Sequence, residues 1–194
     1  MKKFYLKLAA ATLLPMSFIA APVAAQTTAP AVVAPYAPIT AAEVEAAQRA
    51  WGNALVAIST EYDSKGFEAA KKLAGAVLDG AYGYGMGPVL FKPTLTLAPQ
   101  TFRTTRDGAL AYFVGGDKAY PNDTGFALKS WRQYKIDNAG IIVTGNSAIS
   151  MGNVTLTDAK GNVTTVDKTW GYVRDGAGNL RIVLHHSSLP FKAN

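Results

Sequence analysis

The chain has 194 residues, a formal net charge of +6, two histidines and no cysteine. Without cysteine there can be no disulfide framework, thiolate nucleophile or thiolate metal site. The basic residues stand singly or in pairs rather than in a run that could follow a phosphate backbone, so no nucleic-acid partner is expected.

At the N-terminus, Lys2, Lys3 and Lys7 precede an apolar run from Leu8 to Ala21, followed by the small residues Val23-Ala24-Ala25. This is the layout of a cleaved secretory signal over residues 1–25, and the run falls short of the roughly 20 residues that span a bilayer. Removal leaves 169 residues with a formal charge of +3. The mature protein is expected to be exported, in a bacterial periplasm, with no membrane association after cleavage. Residues 26–38, with Pro30, Pro35 and Pro38, read as a flexible leader, and a single domain is expected over 39–194.

Thr40-Ala41-Ala42-Glu43 fits a capping box, and Val44, Ala47, Trp51, Leu55 and Ile58 then recur at helical spacing, with Glu45, Gln48, Arg49 and Asn53 off the stripe. A second helix is predicted from Phe67 to Leu78, ending at Asp79-Gly80. The stretch Gly80 to Pro88 has four glycines and two tyrosines. It lacks the Lys-Ser/Thr, preceding strand and following helix of a phosphate loop, and reads as a connector.

Beyond it the pattern turns to strands: Leu95–Leu97, Gln100–Thr104, Ala109–Val114, Ala127–Ile136, Gly140–Met151, Asn153–Asp158, Val163–Val173 and Leu180–Ser187. Turns are expected at Arg106-Asp107-Gly108, Asp137 to Gly140, Asp158 to Asn162 and Arg174 to Asn179. Helices followed by a meander indicate an α+β fold in which N-terminal helices pack on a strongly bent antiparallel sheet, with a pocket between the layers.

Both histidines lie in the last strand, in Leu184-His185-His186-Ser187-Ser188. Side chains alternate along a strand, so His185 and Ser187 share one face while His186 and Ser188 share the other. A histidine in a strand is commonly a hydrogen-bonded structural group, and the tail alone does not assign a reaction.

Five segments in order carry a sharper signal: Val89-Leu90-Phe91-Lys92-Pro93-Thr94, Phe102-Arg103, Tyr112-Phe113-Val114-Gly115-Gly116, Asp123-Thr124-Gly125-Phe126-Ala127 and the His185 to Ser188 tail, with Trp131 and Trp170 between them. Over nearly the whole mature chain this set resembles the iota-class carbonic anhydrases. They belong with the calcium/calmodulin-dependent kinase association domain and the SnoaL-like proteins, which share a cone-shaped, cystatin-like α+β fold.

The resemblance implies reversible hydration of CO2 to bicarbonate at a polar cluster of Thr94, Tyr112, His185 and Ser187 within an apolar pocket. The roles expected are proton transfer or water orientation for His185, water orientation and bicarbonate binding for Tyr112, and hydrogen-bond donation for Thr94 and Ser187. Tyrosine, with a pKa of about 10, is a poor base near neutrality, whereas histidine near 6.5 suits the task.

Two adjacent histidines on opposite faces cannot readily hold one ion, which favours a metal-free site, with zinc or manganese as the alternative through carboxylates such as Asp123 or Asp167. Lys92 and Arg103 are expected on solvated faces, Asp123 as a turn former, and the three tryptophans as core or interface anchors. A homodimer is expected by analogy, with His186 and Ser188 on the contact face. The alternatives are a SnoaL-like enzyme or binder for a larger hydrophobic molecule, with a roomier pocket and a carboxylate base at its mouth, or a noncatalytic oligomerisation module.

Overall fold

The computed structural model describes residues 37–193. The expected signal over 1–25 and nearly all of the leader lie outside the described residues.

Helix α1 runs over Ala41–Lys65. The Thr40 hydroxyl accepts from the Glu43 backbone N–H at 3.2 Å, and the Glu43 carboxylate accepts from the Thr40 N–H at 2.9 Å, completing the capping box. The predicted stripe is buried at Val44, Trp51, Leu55 and Ile58. Gln48 is buried as well, because it faces the polar groups of the sheet rather than water. Helix α2 covers Phe67–Ala81, past the expected stop at Gly80, and ends where Tyr82 becomes extended.

The segment Ala109–Val114 is a helix and not the predicted strand: α3 spans Arg106–Val114. What reads as an Arg-Asp-Gly turn is its first turn, capped by the Thr105 hydroxyl accepting from Gly108 N–H. Five of its last six residues are buried, and a short run that is apolar on every side has no period to separate helix from strand. Gly115 ends it at φ 69°, a left-handed value suited to glycine. The predicted strands at Leu95–Leu97 and Gln100–Thr104 are loop.

Five strands form one sheet in the order β1-β5-β4-β3-β2: β1 Leu90–Lys92, β2 Trp131–Thr144, β3 Ser147–Asp158, β4 Val163–Arg174 and β5 Leu180–Ser188. The last four make the expected antiparallel meander, whereas β1 pairs with β5 in parallel, so the sheet is mixed. The turns after Asp158 and after Arg174 lie where the sequence puts them.

The one expected at Asp137 to Gly140 is a bulge inside β2, and the chain reverses instead near Gly145, at φ 60°. Gln48 explains the bulge: its amide donates to Asn138 Oδ1 at 2.9 Å and receives Asn138 Nδ2–H at 2.8 Å, which holds that asparagine in the sheet. A one-turn 3-10 helix, Phe126–Leu128, precedes β2 where a strand start was expected. The core lies between the helices and the inner sheet face, built from Trp51, Leu78, Phe91, Val154, Leu156, Trp170 and Tyr172.

Candidate active site

Strand β5 and its parallel neighbour β1 assemble the site. Alternation along β5 sends His185 and Ser187 inward, each 1% exposed, and leaves His186 exposed and Ser188 half-buried. The parallel register sets Phe91 beside His185 and Lys92 beside His186. The chain leaving β1 therefore passes Ser187, and Thr94 Oγ1 donates to Ser187 Oγ at 2.6 Å. Lys92 reinforces the same edge by donating to the Ser187 carbonyl at 3.1 Å.

Tyr112 reaches the site from α3. Its ring meets Phe91 edge-on at 5.6 Å and stacks on Phe126 at 5.6 Å. The hydroxyl is shut off from solvent and makes no hydrogen bond of normal geometry. Burial pushes its pKa above the ordinary tyrosine range, against the weaker opposing influence of the nearby Thr94 hydroxyl and the Thr94 and Leu95 backbone. The phenol is therefore a proton donor and not a base.

Three of the predicted residues, Thr94, Tyr112 and Ser187, thus converge, and two of them, Tyr112 and Ser187, have hydroxyl hydrogens to offer. Because Ser187 accepts from Thr94, its own hydroxyl hydrogen is free for another acceptor.

His185 is held differently. Its ring stacks on Phe91 at 4.5 Å and meets Trp51 edge-on at 5.6 Å. Nδ1 lies 2.9 Å from the Tyr82 hydroxyl and Nε2 2.7 Å from Lys168 Nζ, so both nitrogens are engaged. Burial, with the charges of Lys168 and His186, holds the imidazole well below 6.5, and the ring is neutral around pH 7.

Tyr82 and Lys168 belong to this cluster and were not singled out in the sequence. Tyr82 follows α2 in the glycine-rich connector, where nothing periodic marks it. Lys168 carried a legible signal, since Val166, Lys168 and Trp170 alternate into the core on β4. Its side chain passes over the Trp51 ring at 4.6 Å, and burial lowers the ammonium pKa to about 7.

The expectations for Arg103 and Asp123 change. Arg103 is buried and not solvated, and its Nε and Nη2 form a bidentate pair with Asp123 at 3.0 and 2.8 Å. Asp123 is an ion-pair partner as well as a turn residue. Asp167 faces away from the core and accepts from Asn153 Nδ2 at 2.8 Å. Among the described residues no three His, Asp or Glu side chains are grouped to hold a metal, so neither carboxylate completes a zinc or manganese site.

An apolar recess of about 300 Å³ opens between α1, α2 and the inner sheet, lined by residues such as Ala47, Trp51, Val77, Tyr172 and Ile182. No carboxylate lines it, and it includes none of Thr94, Tyr112, His185 and Ser187. The base that a SnoaL-like reaction on a larger substrate needs is missing there.

The model of the family described as metal-independent carbonic anhydrase matches residues 42–189. The chain belongs to this family. A metal-independent carbonic anhydrase from Nostoc sp. is 65% identical over 154 residues, which is 79% of this chain and 75% of the relative. The crystal structure of a cyanobacterial iota-carbonic anhydrase complexed with bicarbonate superposes with a TM-score of 0.81 at 62% identity, covering 84% of this chain and 98% of that one. A calcium/calmodulin-dependent kinase II association domain from Xanthomonas campestris matches at a TM-score of 0.53 and 23% identity, over 80% of this chain and 91% of that one, which is a likeness of fold alone. The resemblance read from the sequence is thus established, and this carbonic anhydrase works without a metal.

Proposed function

We propose that this carbonic anhydrase carries out the reversible hydration of CO2 to bicarbonate and a proton at the Thr94, Tyr112 and Ser187 cluster, with His185, whose two nitrogens are held by Tyr82 and Lys168, passing on the proton rather than orienting the water. CO2 is apolar until it reacts, and Phe91, Phe113 and Phe126 around Tyr112 give it an apolar wall. As the water oxygen bonds to carbon, negative charge develops on the CO2 oxygens. Preorganised donors aimed at developing charge lower the barrier without reorganising during the reaction.

The observation that carries this reading is the pairing of two free hydroxyl hydrogens: that of Ser187, freed by the Thr94 hydrogen bond, and that of the buried Tyr112 phenol. Removing one such donor typically slows a reaction by about 10²- to 10³-fold. Ser187→Ala and Tyr112→Phe are each expected to slow stopped-flow CO2 hydration to that degree while the protein stays folded. Wild-type rates in both would place the reaction elsewhere.

The protein is also proposed to be exported to the periplasm with residues 1–25 removed, which N-terminal sequencing of the mature protein would test. Pairing into a homodimer is proposed through the outer sheet face. One cross-strand row there runs Ile142, Ile149, Gly171, Leu184 and Leu90, and exposed Met151 stands beside it. Sedimentation should give a dimer that Ile149→Asp converts to monomer.

A further inference from the structure

Lys168 is a buried cation-forming side chain that makes no salt bridge among the described residues. It sits directly opposite Ser187 across β4 and β5, on the inner face, with Nζ 2.7 Å from His185 Nε2. The groups facing it are the Trp51 indole from α1, the Trp170 indole from β4, and His185 and Ser187 from β5. Tyr82 stands across the imidazole ring, and His186 points to the outer face.

The hydrogens of this chain of contacts can be counted. The Trp51 indole only donates, and it donates to the Tyr82 oxygen at 3.0 Å. The Tyr82 hydrogen then has one acceptor, His185 Nδ1. With Nδ1 accepting, a neutral imidazole carries its hydrogen on Nε2 and must donate to Lys168, which can accept only as a neutral amine. A charged Lys168 reverses the order: all its hydrogens donate, Nε2 accepts, and the ring hydrogen moves to Nδ1.

We propose that Lys168 is the proton acceptor of the hydration reaction and that the tautomer of His185 changes with its charge. Water oxygen bonds to the carbon of CO2, one C=O pair moves onto oxygen, and the proton released by water ends on the Lys168 amine, giving bicarbonate and an ammonium. The transfers balance through Tyr82: its hydroxyl hydrogen passes to Nδ1, the Nε2 hydrogen passes to Lys168, and the proton released by water restores the Tyr82 hydroxyl, so that both His185 and Tyr82 finish with as many hydrogens as they began. Deprotonation to solvent resets the lysine. The lowering of its pKa to about 7 by burial places this cycle in the working range, which the neutral histidine, held far below 6.5, does not reach.

The inference rests on CO2 hydration at the Thr94, Tyr112 and Ser187 cluster, and its test is separable from that reading. Nitrogen-15 NMR of the two histidine rings, assigned with a His186→Asn variant, should show the His185 hydrogen on Nε2 at pH 8.5 and on Nδ1 at pH 5.5. The midpoint should match a rise in CO2 hydration rate with pH. In Lys168→Met both the tautomer change and the pH step should vanish, with a rate at pH 8 reduced at least tenfold.

A wild-type ring that keeps one tautomer over this range overturns the proposal without need of any variant. So does a tautomer change with no matching step in rate, or a Lys168→Met protein with the wild-type pH profile. Unchanged rates in Ser187→Ala and Tyr112→Phe would instead remove the site reading, whatever the ring does.

Discussion

Arg103 and Lys168 are both basic side chains withdrawn from water, and the protein treats them in opposite ways. Arg103 meets Asp123 through a bidentate pair and also donates to the carbonyls of Gln100 and Phe102. Its charge is matched where it lies, which anchors the loop after β1 against the segment that follows α3. Lys168 has an imidazole and two indole faces around it and forms no salt bridge among the described residues, so its charge is conditional on pH. A matched buried charge serves as a fixed joint, whereas an unmatched one beside the proposed reaction site can gain and lose a proton.

Breaking the joint should have the largest effect. Asp123→Ala leaves the Arg103 guanidinium buried and uncompensated, a loss of about 3–5 kcal/mol that urea denaturation would read as a collapse of stability. At the other region, Tyr82→Phe removes the acceptor of the Trp51 indole hydrogen and the donor to Nδ1. An expected loss of about 1–3 kcal/mol in the same assay sets it below the Arg103 pair.

The third contrast is in pH dependence. Lysine in an unfolded chain holds its proton up to about 10.5, while Lys168 in the fold releases it near 7. Between those values the unfolded chain binds a proton that the native one lacks, so stability should climb as pH rises from 7 to 9. Below 6.5 the unfolded chain protonates at position 185 while the buried ring stays neutral, so stability should fall as pH drops. Thermal melts of Lys168→Met should lose the climb above 7 and keep the fall below 6.5.

The smallest effect is expected at the surface pair between Arg106 and Asp79, both substantially exposed. Asp79→Asn should change stability by less than about 1 kcal/mol in the same melts.

These differences also show what a sequence can and cannot reveal. The capping box at Thr40 and Glu43 is local, and so was legible. So was the alternation that sends His185 and Ser187 to one face, which needs only the strand. The motifs around Thr94 and Tyr112 identified the family, although Tyr112 was placed on a strand and lies on α3. An apolar run of six residues carries no usable period, and its Thr105 cap resembles the start of a turn.

The groups that were missed depend on distant contacts. Asn138 looks like a turn residue until Gln48 holds it in a bulge, and Arg103 looks solvated until Asp123 arrives from 20 residues away. Lys168 needed the strand register to set it opposite Ser187. The β1–β5 pairing is parallel and joins segments far apart in the chain, so no hairpin signal announces it.

Hydration of CO2 by hydroxyl donors and not by a metal is what the proposed site requires. It is tested most directly by stopped-flow hydration assays on exhaustively chelated protein, with residual zinc and manganese quantified in the same sample, for the wild type and Ser187→Ala together. The predicted result is full wild-type activity at negligible metal content and a rate about 10²-fold or more lower in the variant. Activity that disappears on chelation and returns with added zinc or manganese, or a variant as fast as the wild type, would contradict it.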